Sequence, residues 1–340
     1  MLYWCRGGGP FSVSLRCLHT ADLHLDWAFD KMPPQQRAIR SREVAARLKT
    51  IADLAVEQRV QVLLVAGDLF DTPDVAAATA AYAAGIFAEL EGRGIRVALI
   101  PGNHDPVVPG SVWESQAFPP NVCMFRASEW RHVEIIDGLH MYGIPFIPAL
   151  AGEPVLRRLE LVPSSGYHVA LLHGQFLEIE GGSHHYYPFV GADMAASGLD
   201  YLALGHVHRP LALPPAGRTQ SWYPGSPTRF TFRNLQERQV VLVELAGGQV
   251  QCQPLFLPDR PYLQLPVAVD TTPAEGIGQT LAAVADPEAC VQVVLKGGAE
   301  AGRQSLAEAI LQDWGHQFFF LEVVDHTRPL DEGEDTAPAE

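Results

Sequence analysis

Carboxylate, imidazole and amide side chains recur in this sequence directly after short apolar stretches. They are Asp22 and His24 in "HTADLHLD", Asp68 in "AGDLFD", Asn103, His104 and Asp105 in "PGNHDP", His173 in "LLHGQ", and His206 and His208 in "LGHVH". Carboxylates, imidazoles and an amide oxygen are the ligands of hard-to-borderline divalent metal ions. Because Asp68 has two carboxylate oxygens, it can bridge two ions. The residue types therefore predict a dimetal site.

The spacing within two of these motifs supports the prediction. In Asp22-x-His24 and His206-x-His208, the first and third residues lie on one face of an extended backbone, because side chains alternate along a strand. Glycines stand next to the candidate ligands, where tight turns and close backbone approach are expected; these are Gly67, Gly102, Gly174 and Gly205. Each motif alone could be a turn or a surface pair. Five of them in order, all at strand ends, favour a metal site over a purely structural interpretation.

The elements that position these residues form an alternating pattern. Strand-like stretches such as "VQVLLVAGD" and "IRVALIPGNHD" are separated by stretches with helical spacing of apolar residues, such as "QRAIRSREVAARLKTIADLAVEQR". A strand–helix alternation of this kind predicts a parallel or mixed sheet covered by helices. In such sheets ligands bind at the carboxyl ends of the strands. The predicted ligands follow those ends.

A second domain is predicted after the sequence "LPDRP" at residues 257–261, where a strand–helix–strand–helix–strand pattern begins again. The sequence thus predicts four parts. They are a flexible leader at 1–14, a catalytic domain at 15–257, a small domain at 258–327 and a disordered acidic tail at 328–340.

Composition limits the classes of function. No run of about 18 apolar residues is present, so no membrane association is expected. The five cysteines are scattered and never spaced as CxxC, which favours reduced thiols and a cytoplasmic location. The net charge is −15, but residues 258–340 carry 4 Lys or Arg against 15 Asp or Glu, a net of −11. A nucleic-acid partner for the rest of the chain therefore remains open.

The ordered motifs D-x-H, GD-x-x-D, GNHD, HG and GH-x-H resemble those of the calcineurin-like metallophosphoesterases. The flanking sequences "HTADLHLD", "AGDLFDTPD" and "YLALGHVHRP", with "YPGSP" after them, are similar to DNA repair exonuclease subunits of the SbcD type. The resemblance covers about residues 15–257. It implies an α/β fold, a two-sheet metallophosphoesterase sandwich flanked by helices, with a small C-terminal α+β (βαβαβ) capping domain.

The resemblance also implies roles for individual residues. One metal ion would be held by Asp22, His24, Asp68 and His208, and the second by Asp68, Asn103, His173 and His206. His104 matches the catalytic histidine of the family, and Asp105 would orient it. Manganese is the metal usually associated with the nuclease activity, while the ligands alone also suit Fe or Zn.

Three functions remain open. The first is a DNA exo- or endonuclease subunit of double-strand break repair, which implies an SMC-like ATPase partner of the SbcC type and leaves a homodimer open. The second is a stand-alone small-molecule phosphodiesterase or phosphatase, and the third is a non-catalytic scaffold. Basic residues that could contact DNA phosphates are Arg37, Arg40 and Arg47 in a helix, and Arg229 and Arg233 after "YPGSP". His184 and His185 are expected at the surface.

Overall fold

The computed structural model of the protein describes residues 14–179, 182–299 and 304–329. Most of the predicted leader, and the predicted tail from residue 330 onward, lie outside these ranges. The chain divides into two compact units. Within the described residues, the first unit contains residues 14–29, 37–228 and 236–258, and the second contains 30–36, 229–235 and the residues from 259 onward. The two short segments of the second unit were assigned to the catalytic domain by the sequence analysis.

The first unit contains two six-stranded sheets. Its strands are β1 (Leu15–Thr20), β2 (Val62–Ala66), β3 (Arg96–Ile100), β4 (Val122–Met124), β5 (Arg131–Ile136), β6 (Leu139–Ile144), β7 (Tyr167–His173), β8 (Tyr201–Gly205), β9 (Leu211–Ala212), β10 (Gln220–Tyr223), β11 (Arg238–Ala246) and β12 (Gln249–Leu257). The strand order is β12-β11-β1-β2-β3-β4 in the first sheet and β5-β6-β7-β8-β10-β9 in the second. Strands β1 to β4 are parallel, as are β6, β7, β8 and β10.

Apolar side chains from both sheets form one buried cluster. Leu64 of β2 and Ala98 of β3 pack there with Leu171 of β7 and Ala203 of β8. Four α-helices precede residue 258 in the described residues. They are α1 (Pro34–Glu57), α2 (Ala77–Glu91), α3 (Val112–Ser115) and α4 (Gly191–Ser197). The continuous apolar stretches of the strands are explained by this burial, because β2, β7 and β8 are buried along their whole length. The two-sheet α/β prediction is confirmed.

The second unit contains a three-stranded parallel sheet in the order β13-β14-β15. Its elements are β13 (Tyr262–Ala268), α5 (Ala274–Ala283), β14 (Asp286–Ala299), α6 (Gln304–Trp314) and β15 (Phe318–Pro329). Apolar side chains from the helices and strands, including Leu281, Val293 and Ile310, share one core. The predicted βαβαβ order is present, and β15 continues two residues into the segment predicted as a disordered tail.

Some local details differ from the sequence-based expectations. The apolar residues of "EIIDGLHMYGIPF" predict one strand, but the stretch contributes to two, which form the hairpin of β5 and β6. The glycine pair Gly247 and Gly248 between two apolar stretches predicts a hairpin. This hairpin is present between β11 and β12, and both glycines have positive φ. Within the described residues, the four cysteines are free thiols, and no helix is long and apolar enough to cross a membrane.

Candidate metal centre

The predicted ligands lie at the carboxyl ends of five strands. Asp22 and His24 follow β1, Asp68 follows β2, and Asn103 follows β3 in the first sheet. His173 is the last residue of β7, while His206 and His208 follow β8 in the second sheet. Both sheets therefore deliver side chains to one place, although these residues are up to 186 positions apart in the sequence.

One group of four side chains brings its ligand atoms within 4.8 Å of one another; it consists of Asp22, His24, Asp68 and His208. The Nε2 atoms of His24 and His208 are 3.1 Å apart. His24 Nε2 is 3.6 Å from Asp68 Oδ2, and His208 Nε2 is 4.0 Å from Asp22 Oδ1. These are the four residues that the resemblance assigns to one ion.

The other four predicted ligands also converge. Asn103 Oδ1 is 2.9 Å from His173 Nε2 and 3.0 Å from His206 Nδ1. His173 Nε2 is 3.3 Å from Asp68 Oδ2, the same oxygen that faces His24. Asp68 is thus common to both groups, as a bridging carboxylate would be.

The hydrogen bonding of His173 indicates that a cation fits here. Its Nδ1 lies 2.9 Å from the carbonyl oxygen of Ala66, which can only accept, so Nδ1 carries a hydrogen. In the neutral ring, Nε2 is then an acceptor that faces two further acceptors, Asn103 Oδ1 and Asp68 Oδ2. Acceptors that face one another are satisfied by a positive charge between them. A backbone carbonyl that fixes the ring in this way is typical of metal-binding histidines.

The charges of the site follow from burial and from the mutual contacts. Burial raises the pKa of Asp22 to about 6, although His173 opposes the shift. Burial would also raise the pKa of Asp68, but His173, His24 and His104 hold it well below its usual range. Burial lowers the pKa of His206 and of His208 to about 3, so both rings are neutral and offer lone pairs. Burial lowers and Asp68 raises the pKa of His173, which reaches about 9. Without a metal ion, a proton on Nε2 therefore takes the place between Asn103 Oδ1 and Asp68 Oδ2 that a cation would fill.

His104 lies at the rim, with its side chain 39% exposed. Its backbone N–H donates to Asp68 Oδ1 at 2.9 Å. Its ring Nδ1 is 3.2 Å from the carbonyl oxygen of Asp71 and 3.3 Å from Asp71 Oδ1. The hydrogen bond to Asp71 raises the pKa of His104 to about 9, against the opposing effect of burial. An exposed N–H donor therefore stands beside the convergent ligands.

Asp71 is a site residue to which the sequence analysis gave no role. Its Oδ1 lies 3.1 Å from His24 Nδ1 as well as 3.3 Å from His104 Nδ1. Burial would raise the pKa of Asp71, but His104 and His24 lower it to about 2. Asp71 thus fixes the ring of one candidate ligand and of the rim histidine at once. Its position three residues after Asp68, in GD-x-x-D, was the available signal.

Asp105 does not have the predicted contact with the His104 ring. Its two carboxylate oxygens accept the backbone N–H groups of Phe70, at 3.0 Å, and Gly102, at 2.6 Å. The side chain is fully buried, and burial raises its pKa well above the usual value. Asp105 therefore ties the loop after β2 to the loop after β3, and Asp71 is the carboxylate that contacts His104.

The backbone at the ligands is not extended, contrary to the expectation from the alternating spacing. Asp22, His24 and Asp68 have φ of 54°, 45° and 49°, and His206 has φ of 98°. Left-handed conformations are uncommon for residues other than glycine, although Asp and His adopt them more often than most, and strained backbone of this kind is concentrated at functional sites. Strand β1 ends at Thr20, so the ligands reach the site through left-handed turns. Gly102 leaves room for the Asp68 carboxylate, which a Cβ atom at that position would overlap.

The predicted DNA contacts are only partly available. Arg40 is fully buried, with its guanidinium 5.1 Å from the centre of the Phe29 ring, and Arg47 is also buried. Arg229 donates its backbone N–H to Asp259 at 2.7 Å, and its side chain is 13% exposed. These three guanidiniums are not placed to meet a phosphate backbone. Arg37 and Arg233 are exposed.

The segment that contains His184 and His185 contributes a different residue. Both histidines are exposed, in agreement with the expected surface position. The next residue, Tyr186, places its ring 4.2 Å from that of His206, centre to centre. Tyr186 could not be predicted from the sequence as a site residue, because an aromatic residue in a loop is not a typical metal ligand.

Comparison with known proteins agrees with this geometry. The family model described as Calcineurin-like phosphoesterase matches residues 15–210. The chain is 29% identical over 308 residues to "Uncharacterized metallophosphoesterase YhaO" of Bacillus subtilis, covering 84% of this chain and 73% of that one. It is 27% identical to "DNA double-strand break repair protein Mre11" of Saccharolobus solfataricus, over 57% of this chain and 49% of that one. It is 24% identical to a subunit of the nuclease SbcCD of Bacillus subtilis, over 69% and 67%.

Proposed function

Because the chain belongs to the calcineurin-like phosphoesterase family, we propose that it is a dimetal phosphodiesterase that cleaves DNA as an exo- or endonuclease in double-strand break repair. Family membership itself makes the chain a metallophosphoesterase, and hence a hydrolase with a dimetal site. The choice of DNA as substrate is supported by the similarity to Mre11 and to the SbcCD nuclease. The observation that carries the proposal is the shared position of Asp68 between two convergent ligand groups.

The residues fit two divalent ions in the following way. Asp22, His24, Asp68 and His208 would hold one ion, and Asp68, Asn103, His173 and His206 the other; we propose manganese, with Fe or Zn as the alternatives. Such ions lower the pKa of a water molecule and polarise the phosphoryl oxygens of the substrate. The neutral rings of His206 and His208 offer their lone pairs without first losing a proton.

The protein's own acid group would be His104. Asp71 holds its Nδ1–H, which leaves Nε2–H to donate to the phosphate or to the departing 3′ oxygen. Asp71 also fixes His24, so the ligand and the acid would be oriented by one carboxylate. Tyr186, beside His206, lines the approach to the same residues.

A second candidate function is hydrolysis of a small phosphodiester. The positions of Arg40, Arg47 and Arg229 favour it, because these three of the five side chains predicted to contact DNA are not placed to meet a phosphate backbone. An assay of cleavage at increasing Mn²⁺ concentrations separates the two functions. Purified protein is given either end-labelled duplex DNA or a chromogenic phosphodiester as substrate. We expect cleavage of both substrates by the wild type and of neither by Asp68→Asn. Cleavage of the chromogenic diester alone would contradict the nuclease and support the small-molecule enzyme.

The exposed Arg37 and Arg233 give a sharper test of DNA contact. Arg37→Glu and Arg233→Glu should weaken DNA binding and make it less dependent on salt. Each phosphate contact releases counterions from the DNA, so a variant with fewer contacts releases fewer of them. Arg93→Glu, which changes an exposed arginine after α2 by the same charge, should leave both unchanged. Hydrolysis of the chromogenic diester should be the same in all three variants. Equal loss on both substrates would contradict a role in DNA binding.

The partner of the proposed nuclease would be an SMC-like ATPase of the SbcC type, in a cytoplasmic complex. The similarity to the SbcCD nuclease supports this proposal. Purification of the tagged chain from its own host should recover such an ATPase, and the recovered complex should cleave DNA in the presence of ATP. A homodimer without an ATPase would contradict the proposed partner.

A further inference from the structure

The second unit contains a cavity with basic lining residues at the carboxyl ends of β14 and β15. Its volume is about 560 Å³, and it is lined by Lys296, Gly297, Gly298, His326 and Arg328. This volume lies in the range of small-molecule sites, about 300–1,000 Å³. The carboxyl ends of parallel strands are where α/β sheets bind ligands.

Strand register places the basic side chains together. Lys296 pairs with His326, and Gly298 pairs with Arg328, across neighbouring parallel strands. Because side chains alternate along a strand, Lys296, His326 and Arg328 share one face. Lys296 and Arg328 are diagonal neighbours on this face, so an anion between them would offset the repulsion of their two positive charges. Gly298, which has no side chain, lies opposite Arg328 in the cavity lining.

The charge of this cavity is opposite to that of its surroundings. Residues 258–340 have a net charge of −11 and contain four Lys or Arg, of which two line the cavity. Elsewhere in the second unit, Lys31 pairs with Glu322 at 2.5 Å, and Arg260 with Glu288 at 2.9 Å. Within the described residues, neither Lys296 nor Arg328 has such a carboxylate. Asp270 lies beside Gly297 but does not line the cavity.

We propose that this basic cavity binds the phosphate group of a small phosphorylated molecule. Arg328 offers a planar pair of N–H donors that matches two phosphate oxygens, and Lys296 adds a point charge. Gly297 and Gly298 line the cavity between these side chains. The ligand is either inorganic phosphate or a nucleoside monophosphate, whose chemistry is shared at the phosphate. The proposal does not depend on the metal centre of the first unit.

Calorimetric titration of the full-length, chelator-treated protein with inorganic phosphate and with AMP tests this proposal. Lys296→Gln and Arg328→Gln should each weaken binding by about tenfold, the loss expected for a charge-assisted hydrogen bond. Lys31→Gln removes the same charge from the same unit outside the cavity, and it should bind as the wild type does. Equal affinity for the two ligands would assign the site to phosphate alone, and tighter binding of AMP would assign it to a nucleotide.

His326→Glu separates a binding role from a structural one. It places a carboxylate between Lys296 and Arg328, so it should abolish phosphate binding and raise the melting temperature. A lower melting temperature together with lost binding would contradict the inference that the positive charges of Lys296 and Arg328 lack a partner.

Unchanged phosphate binding in Lys296→Gln and Arg328→Gln would overturn the proposal, as would the absence of binding to the wild type. Displacement of phosphate by duplex DNA would also overturn it, in favour of a nucleic-acid contact. Asp68→Asn should retain phosphate binding, so a failure of the proposed phosphodiesterase function would be visible separately.

Discussion

Two groups of histidines in the first unit show how different surroundings give the same side chain different roles. The ligand group, at the strand ends, includes His24 and His208. The face group consists of His132 on β5, His140 on β6 and His168 on β7. In both groups two ring nitrogens approach to 3.1 Å, between His24 and His208 and between His132 and His140. The number of histidines and their spacing therefore do not distinguish the two groups.

The orientation of the rings does distinguish them. The ring centres are 4.9 Å apart for His24 and His208, but 5.3 Å apart for His132 and His140. At equal nitrogen separation, the larger distance means that the second pair faces head-on, as in an N–H···N hydrogen bond. The shorter distance means that the first pair does not face head-on, and its ring planes are inclined at 60°.

The partners of the rings differ in the same sense. In the face group, His140 Nε2 donates to the carbonyl oxygen of Ser165 at 3.0 Å, and Tyr142 donates its hydroxyl to His168 Nδ1 at 2.9 Å. Donors and acceptors alternate, so no ion is required. In the ligand group, the oxygen atoms of Asp68 and Asn103 both face Nε2 of His173, so a positive charge is needed between them. Convergent acceptors, and not the count of histidines, mark the candidate metal centre.

Among the substitutions that test this comparison, Asp68→Asn should have the largest effect on metal content and hydrolysis. It replaces the oxygen that lies 3.6 Å from His24 Nε2 and 3.3 Å from His173 Nε2, so both ions should be lost. Hydrolysis of a chromogenic diester should fall by more than the about 10²–10⁴-fold expected for a single acid–base group. His24→Ala and His173→Ala each remove a ligand of one ion and should lose less metal by elemental analysis. His140→Gln, in the face group, should keep wild-type hydrolysis.

His104→Ala should have the next largest effect, on turnover alone. His104 contacts Asp71 and is not among the convergent ligands, so metal content and substrate binding should be retained. The turnover number should fall by about 10²–10⁴-fold. Loss of metal from this variant would mean that His104 is a ligand, and near-normal turnover would exclude it as the acid.

Asp71→Asn should have an intermediate effect. The change weakens the hold on His24 Nδ1 and His104 Nδ1, and outer contacts of this kind are worth about 10–100-fold in metal affinity or activity. Asp105→Asn is the matched control, because its carboxylate bonds to backbone N–H groups and not to the rings. Asp105→Asn should lower the melting temperature, while the fraction of the protein that remains folded should keep its activity. A loss of activity in Asp105→Asn without a loss of stability would support the predicted role of Asp105 in orienting His104.

Tyr142→Phe should have the smallest effect, confined to stability. The hydroxyl accepts the backbone N–H of Val162 at 3.1 Å and donates to His168, so its removal leaves two groups without a partner. The free energy of unfolding should fall by about 1–3 kcal/mol, as measured by denaturant titration. Metal content should not change. A loss of bound metal here would show that the face group, too, binds an ion.

The sequence allowed prediction of the site where the signal was local. A buried apolar strand followed by Gly67 and Asp68 contains both the position and the residue type of a ligand. The parallel strand order then accounts for why ligands from β1, β2 and β3 meet. Fold class could be predicted for the same reason, because burial on both faces leaves continuous apolar stretches in the sequence.

Features that depend on loop conformation were not predictable in the same way. Whether Asp71 or Asp105 contacts His104 is decided by the left-handed turns after β2 and β1, and no residue type signals them. The burial of Arg40 and Arg47 was different, because a signal existed. Arg40 lies four residues before buried Val44, and Arg47 lies three residues after it. This spacing places both on the buried face of α1, although charged residues are usually expected on the exposed face.

Anomalous diffraction from crystals soaked in Mn²⁺ tests the central claim most directly. We expect two manganese peaks, one on each side of the Asp68 carboxylate. His24 and His208 should lie beside the first peak, and His173 and His206 beside the second. It predicts no peak between His132 and His140. An absence of peaks beside Asp68, or a single peak placed at the face group, would contradict the assignment of the metal centre.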